Sequence, residues 1–373
     1  MRLGFLQRVY EQRAPFATVY LDTSGDAEDA GKAIQLRWRQ ARERLIQRGA
    51  GEKLLRAIDE ELEQPQRRTG QRGEVIVANE DGVVLSDELP EPPRDLSDDE
   101  KAQFGPVPDL FPYLRMRGSR IPHLIAVVDH QGADITEVNA HLRAGSTSVE
   151  GTADVLHKSR TPSGPGAEER NQNAVEENWK INAEQVADAI DKRAAAIGAE
   201  AIVLAGDPQQ RTLVREQLRK GTQPLVVESE SGHRDSKASD EGLQQDVAET
   251  VQQVVASRTD DVVHDFERER GERSRATEGW ESTVAALQHG QVETLLRAIP
   301  DQREHPDALQ VGPGTGEVAL RSSELGDQGE PAAADSALVR GLVDTSASLV
   351  LVDRDRVDLE GGIGAVLRFT ESG

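Results

Sequence analysis

The sequence predicts an α/β (α+β) chain in which mixed sheets are flanked by helices, divided into three domains. Short β-branched and aromatic runs alternate with longer stretches of helical periodicity along the whole chain. Two polar stretches interrupt that alternation, one rich in proline before residue 119 and one rich in serine before residue 239. They divide the chain into 1–118, 119–238 and 239–373, and 373 residues exceed what one hydrophobic core usually organises.

In the first domain, Ala17–Asp22 reads as a buried strand ended by Thr23, Ser24 and Gly25. Ala33–Gln47 reads as a helix with Ile34, Leu36, Trp38, Ala41 and Leu45 as its apolar points. Arg37, Arg39, Arg42 and Arg44 fill the other positions, interleaved with Glu43, and this pattern reads first as a solvated helix face. A second helix covers Glu52–Glu63, and a turn over Gln64–Gly73 carries Arg67, Arg68 and Arg72. Glu74–Ala78 and Gly82–Leu85 form a hairpin about a turn ending in Asp81-Gly82. Residues 90–120 read as a proline-rich connection.

The middle domain opens with a hairpin of His123–Asp129 and Ala133–Asn139. Residues 157–173 are polar and carry Pro162, Gly164, Pro165 and Gly166. An amphipathic pattern then begins: Val175, Trp179, Val186, Ile190 and Ile197 step by four, seven, four and seven, along one helical face. A loop bearing Lys158, Arg160 and Arg170 is thus mounted on the start of a long helix. Loops of about 15 residues without their own structure are more often functional than not. A strand at Ala201–Ala205, a helix at Gln210–Arg219 and a strand at Pro224–Val227 complete the domain. The last domain reads as helices over Leu243–Arg275 and Glu281–Ala298. Asp307–Gln310 then leads to a glycine-rich turn, followed by a helix at Asp335–Thr345 and strands at Ser348–Asp353 and Gly361–Phe369.

Composition narrows the function. The chain has no cysteine, which excludes disulfides, a thiolate zinc site and a cysteine nucleophile. Eight histidines make no HxH or HExxH spacing, so no metal site is expected. The glycines of Gly312–Gly316 are not followed by Gly-Lys-Ser/Thr, and no Gly-x-Ser-x-Gly elbow exists. No catalytic residue and no cofactor is assigned. The first 16 residues meet charge too soon to read as a signal peptide, and no apolar run approaches the ~20 residues of a membrane span. No membrane partner is therefore expected, and a cytoplasmic location is. The net charge of −23 argues against simple phosphate binding, yet it is uneven: −3 over 1–120, −6 over 121–236 and −14 over 237–373.

Three parts in this order resemble the archaeal–eukaryotic class-1 release factor and Pelota family in its bacterial branch. They are a strand–helix–helix–hairpin domain, an α/β domain with a glycine-bearing loop on a long helix, and an acidic α/β domain ending in Gly361–Phe369. Within that branch the chain is most similar to the actinobacterial Balon-type hibernation factors. The resemblance implies a middle-domain loop that reaches the peptidyl transferase centre. Release factors carry Gly-Gly-Gln there; this chain has Ser163-Gly164-Pro165-Gly166-Ala167, and Gln172 is the nearest glutamine. The decoding motif's place is Ala30–Arg37, where only Lys32 and Ile34 match.

The implied function is ribosome binding at the A site without hydrolysis, as a hibernation or stress factor. Lys158, Arg160, Ser163, Gly164, Pro165, Gly166 and Arg170 would contact rRNA there. Lys32, Arg37, Arg39, Arg67, Arg68 and Arg72 would do so at the decoding end. The acidic last domain would face a translational GTPase such as elongation factor Tu. Two rivals follow from the same residues. One is a peptidyl-tRNA hydrolase using Gln172 or another loop residue. The other is a non-ribosomal RNA-binding or nuclease-like protein, which would need clustered carboxylates for Mg²⁺.

Overall fold

A computed structural model describes residues 1–25, 30–63, 71–118, 121–139, 144–150, 167–232, 240–272, 274–299, 306–314, 316–326 and 328–369. The chain is mixed α/β and divides into two compact units, one of Met1–Gly118 with Thr259–Gly373 and one of Ser119–Arg258.

The first stretch runs α1 (Gln7–Tyr10), β1 (Phe16–Asp22), α2 (Ala30–Gln47), α3 (Glu52–Glu63), β2 (Gly73–Asn79), β3 (Gly82–Leu89), β4 (Ala102–Gly105) and α4 (Phe111–Arg117). Its sheet is antiparallel throughout, in the order β3-β2-β1-β4. Side chains of a strand alternate between faces, and here both faces are covered. Ala17, Val19, Leu21, Ile76 and Ala78 meet Trp38, Ala41 and Leu45 of α2 and Leu54, Leu55 and Ile58 of α3. Phe16, Tyr20, Val75 and Val77 turn to the other side. This double burial is why β1 reads as one unbroken apolar run. Trp38 Nε1 donates to Asp59 Oδ1 at 2.5 Å, tying α2 to α3. The stretch expected to be a plain connection holds both β4 and α4. Proline disguised them, although Pro112 sits in the first turn of α4, where a missing N–H leaves no bond unmade.

The middle unit runs β5 (His123–Asp129), β6 (Gly132–Val138), β7 (Ala144–Glu150), α5 (Ala167–Ile197), β8 (Ala201–Gly206), α6 (Pro208–Gln217) and β9 (Val226–Glu228), followed by α7 (Asp240–Gly271). Its sheet has the order β7-β6-β5-β8-β9. β5, β6 and β7 form an antiparallel meander, and β8 and β9 continue parallel to β5. Ala183, Val186, Ala187, Ile190 and Ala194 of α5 cover one face, against Leu124, Ala126, Val128, Ile135, Ile202 and Leu204. Leu243 and Val247 of α7 cover Ile125, Val203 and Ala205 on the other.

The last stretch runs β10 (Ala276–Glu278), α8 (Trp280–Gln288), β11 (Val292–Ile299), β12 (Ala308–Val311), β13 (Val318–Ala319), β14 (Glu330–Ala333), α9 (Ala334–Asp344), β15 (Ser348–Asp353) and β16 (Ile363–Leu367). One sheet has the order β10-β16-β11-β15, with β11 parallel to β15 and antiparallel to β16; a smaller one has the order β13-β12-β14. The single helix expected over Glu281–Ala298 is corrected here: α8 stops at Gln288, Gly290 turns with φ 65°, and β11 begins. β11 is a central strand with both faces buried, so Val292, Leu295, Leu296 and Ala298 show no alternation and mimic helical spacing.

The first and last stretches share one core. Leu3, Leu6, Val9, Tyr20, Tyr113 and Leu114 cluster with Val284, Leu287, Leu338 and Leu342. The Leu349 amide donates to the Met1 carbonyl at 2.9 Å, and Arg2 bridges Ser348 antiparallel. The Ser336 hydroxyl donates to Asp109 Oδ1 at 2.6 Å. Packing thus groups the first and last thirds, whereas the sequence divides the chain at 118 and 238.

Candidate functional site

The candidate site is the segment between β7 and α5 and the frame that carries it. Lys158, Arg160, Ser163, Gly164, Pro165 and Gly166 lie outside the described residues. Arg170 and Gln172 lie on α5, within its first ten residues, whose side chains are also outside the description. The frame is described, and it is specific.

α5 is 31 residues long, about 46 Å at 1.5 Å per residue. Among its described side chains, the buried apolar residues begin at Ala183. One turn earlier, Trp179 stacks on His130, with ring centroids 4.3 Å apart and planes 18° from parallel. Ala167 precedes Trp179 by about 18 Å along the helix. The helix therefore extends its start well beyond this contact.

His130 occupies the tight turn between β5 and β6. That turn is set by Asp129 Oδ1, which accepts from the Gln131 amide at 2.7 Å and the Gly132 amide at 2.8 Å. The His130 carbonyl accepts from Asn182 Nδ2 at 3.1 Å. Its ring Nδ1 lies 3.1 Å from Gln210 Nε2, and Nε2 lies 3.5 Å from Asp207 Oδ2. Asp207 in turn caps α6, its Oδ1 accepting from the Gln209 and Gln210 amides at 2.9 and 3.0 Å. Gly206 makes this corner possible: its φ is +102°, and a Cβ there would lie 2.1 Å from the Val128 carbonyl oxygen. These groups stand at the carboxyl ends of the parallel strands β5 and β8, the usual place for function in open α/β sheets. Sequence reading found Trp179 only as an apolar point and missed His130, Asn182, Asp207 and Gln210. The one signal was Gly206-Asp207-Pro208 directly after a buried strand.

Two of the six decoding-end candidates, Arg37 and Arg72, are held in ion pairs. Arg37 lies 3.0 Å from Asp22 Oδ2 and donates to the Asp22 carbonyl at 2.8 Å. Burial alone would raise the Asp22 pKa, but hydrogen bonds from Ser24 and the charge of Arg37 hold it below the usual carboxylate range. Arg72 pairs with Glu88, and its backbone exchanges hydrogen bonds with the Ser24 hydroxyl, so Arg37 and Arg72 meet at the end of β1. Arg42, Arg44 and Arg48 pair with Glu52, Asp98 and Asp99. Lys32 and Arg39 are exposed, and Arg67 and Arg68 lie outside the described residues. The basic face of α2 is thus largely neutralised by its own neighbours.

The glycine-rich turn is filled from within. Gly314 N donates to Glu317 Oε2 at 2.7 Å and Gly316 N to Asp344 Oδ2 at 2.8 Å, so these amides are already occupied by carboxylates. Among the described residues, no group of three or more His, Asp or Glu side chains is arranged to hold a metal ion. Among the described residues, no helix is long and apolar enough to cross a membrane.

The sequence model of bacterial archaeo-eukaryotic release factor family 2 matches residues 122–272, from the start of β5 through α7. This segment belongs to that family. The release-factor-like segment therefore contains the β7–α5 loop, the His130–Trp179 contact and α7. The chain is also 29% identical over 376 residues to the uncharacterised Mycobacterium tuberculosis protein Rv2629, covering 99% of this chain and 97% of that one. Among solved structures, a ribosome-bound archaeal Pelota is similar with 12% identity and a TM-score of 0.42, covering 98% of this chain and 94% of that one. S. cerevisiae Dom34, described as a translation termination-like factor that interacts with Hbs1, is similar with 10% identity and a TM-score of 0.39. That match covers 66% of this chain and 63% of Dom34.

Proposed function

We propose that this chain is a ribosome-binding, release-factor-like translation factor that occupies the A site without releasing peptide, as a cytoplasmic hibernation or stress factor. The observation that carries this reading is the content of the release-factor-like segment. Its loop enters α5 through Ser163-Gly164-Pro165-Gly166-Ala167, with no Gly-Gly-Gln. Adjacent glycines and a glutamine are what that family's hydrolysis uses, so a chain without them keeps the shape and loses the chemistry. Gln172 stands six positions beyond Gly166, inside α5 rather than before it, which does not favour it as a substitute.

In this reading the segments divide the work. Residues 119–238 present Lys158, Arg160 and Arg170 to rRNA phosphate. Residues 1–118 meet the decoding end, with Lys32 and Arg39 among their exposed cations. Residues 239–373, where most of the negative charge resides, face a protein partner, a translational GTPase such as elongation factor Tu.

Co-sedimentation with 70S ribosomes at low and moderate salt tests the proposal. Binding is expected to weaken steeply with salt, because phosphate contacts release counterions. Charge reversal at both Lys158 and Arg160 is expected to lower affinity about tenfold, or 1.4 kcal/mol. Unchanged affinity in that variant overturns the role of the loop. Peptidyl-tRNA loaded in the same ribosomes should stay intact; its release would favour the hydrolase instead.

A further inference from the structure

We infer that His130 is the positioning residue of the loop-bearing helix: its ring and carbonyl together fix the projecting arm of α5 against the carboxyl ends of β5 and β8. This inference deepens the proposed function and rests on the loop being the part that meets the ribosome.

The arm needs a holder. Between Ala167 and Trp179 the sequence is almost wholly polar (Glu168, Glu169, Arg170, Asn171, Gln172, Asn173). A helix segment with nine polar residues among the eleven between Ala167 and Trp179, Ala174 and Val175 being the exceptions, is marginal in water by itself, since nucleation is costly and short helices gain most of their stability from packing. Among the side chains described on α5, the buried apolar packing begins at Ala183. The contact at Trp179 therefore decides how far order extends toward the loop.

His130 is built for that task by three independent restraints. Trp179 and Asn182 are three residues apart and so share one face of the helix. The ring of His130 takes the indole, and its carbonyl takes the Asn182 amide. The same residue thus grips α5 at two points separated by one turn. The imidazole cannot swing away freely, because Gln210 and Asp207 engage its two nitrogens from α6. The backbone beneath it is held by the Asp129 turn. Asp207 is fixed in turn by its capping bonds, and α6 is seated by the close approach of Gly206 to Val128. A rigid corner made from β5, β8 and α6 is in this way transmitted to a helix that would otherwise be loosely held at its start.

Hydrogen exchange on the full chain tests this with His130→Ala and His130→Phe. In His130→Ala the amides of residues 168–182 are expected to exchange at least tenfold faster, while those of 183–197 and 201–206 keep their protection. His130→Phe retains a ring for Trp179 and is expected to restore most of the lost protection. In co-sedimentation, His130→Ala is expected to bind 70S ribosomes three- to tenfold more weakly and His130→Phe within about twofold of the parent chain. Unchanged exchange at 168–182 overturns the inference. So does a rise spread evenly over 183–206, which would mean general loosening, and so does a phenylalanine variant as loose as the alanine one. If the parent chain fails to bind ribosomes while the exchange pattern holds, the functional reading falls and the positioning role stands.

Discussion

Replacing Arg297 with alanine is expected to destabilise the larger unit by about 3–5 kcal/mol, the range seen when one partner of a buried ion pair is removed. Arg297 lies in the middle of β11 and is 1% exposed. Its Nε donates to Asp335 Oδ1 at 2.8 Å, Nη2 reaches Asp335 Oδ2 at 3.4 Å, and Nη1 donates to the Gly362 carbonyl at 3.1 Å. The guanidinium also sits 5.2 Å from the ring of Trp280, whose Nε1 donates to the Gly361 carbonyl. One side chain therefore ties β11 to the start of α9, to the turn before β16 and to α8. Alanine would leave Asp335 facing a cavity without its counter-charge. The double variant Arg297→Met with Asp335→Asn removes both charges and is expected to lose less than Arg297→Ala alone, because the cost lies in the unpaired partner. Urea midpoints followed by tryptophan emission measure both. A loss below about 1 kcal/mol in Arg297→Ala would show that the network does not hold the unit together.

Asp109→Asn is expected to act in the opposite direction. Burial is the main reason that the Asp109 carboxyl is pushed up to about 6, with Asp335 and Glu100 adding repulsion and the Ser336 hydroxyl opposing them. Its surroundings are fixed: the Tyr20 hydroxyl donates to its carbonyl at 2.6 Å, and its amide donates to Thr18 Oγ1 at 2.9 Å. The folded state thus binds this proton more tightly than the unfolded state does. Asp109's contribution is full below about pH 4, is lost as pH rises through about 6, and above that remains as a penalty of about 2–3 kcal/mol. Asparagine mimics the protonated carboxyl without its titration. At pH 7.5 the variant is expected to be more stable by about that amount, raising the melting temperature by about 4–8 °C. By pH 4 the advantage should shrink below about 1 kcal/mol. Glu269 behaves conversely: hydrogen bonds from Arg275 and Arg268 hold it down to about 2, so its contribution fades only in stronger acid. Comparing parent and variant at both pH values isolates Asp109. An equal difference at the two values, or a less stable variant at pH 7.5, would overturn the assignment.

What could be read from the sequence follows from where each signal originates. β1 and α3 were legible because both are strongly patterned by a core that lies directly beneath them. β7 was not, since it is an edge strand of small polar residues with Gly145–Ser148 exposed and Val149 only partly buried against the core. β11 was misread as helix because a strand buried on both faces keeps no alternation. The polar stretch before α5 stood out by composition, but residues 151–166 lie outside the described residues, and α5 already begins at Ala167, inside the 157–173 expected as loop. The frame was not legible: His130 and Gln210 are 80 residues apart, and only the parallel pairing of β5 and β8 brings them together. The same limit applies to α2. Its arginines were visible as a basic run, but their partners Asp22, Glu52, Asp98 and Asp99 come from other parts of the chain.

The shared core has a consequence for synthesis. Leu3, Leu6 and Val9 are made more than 300 residues before such neighbours as Leu338, Val339 and Leu342. At about 5–20 residues per second, that wait lasts on the order of tens of seconds. The middle unit, contiguous in sequence, can close in the meantime. The nascent first third must carry an open apolar wall throughout, a natural stop for a chaperone. A chain truncated after residue 258 would retain a complete middle unit beside a first third that still lacks one side of its interior.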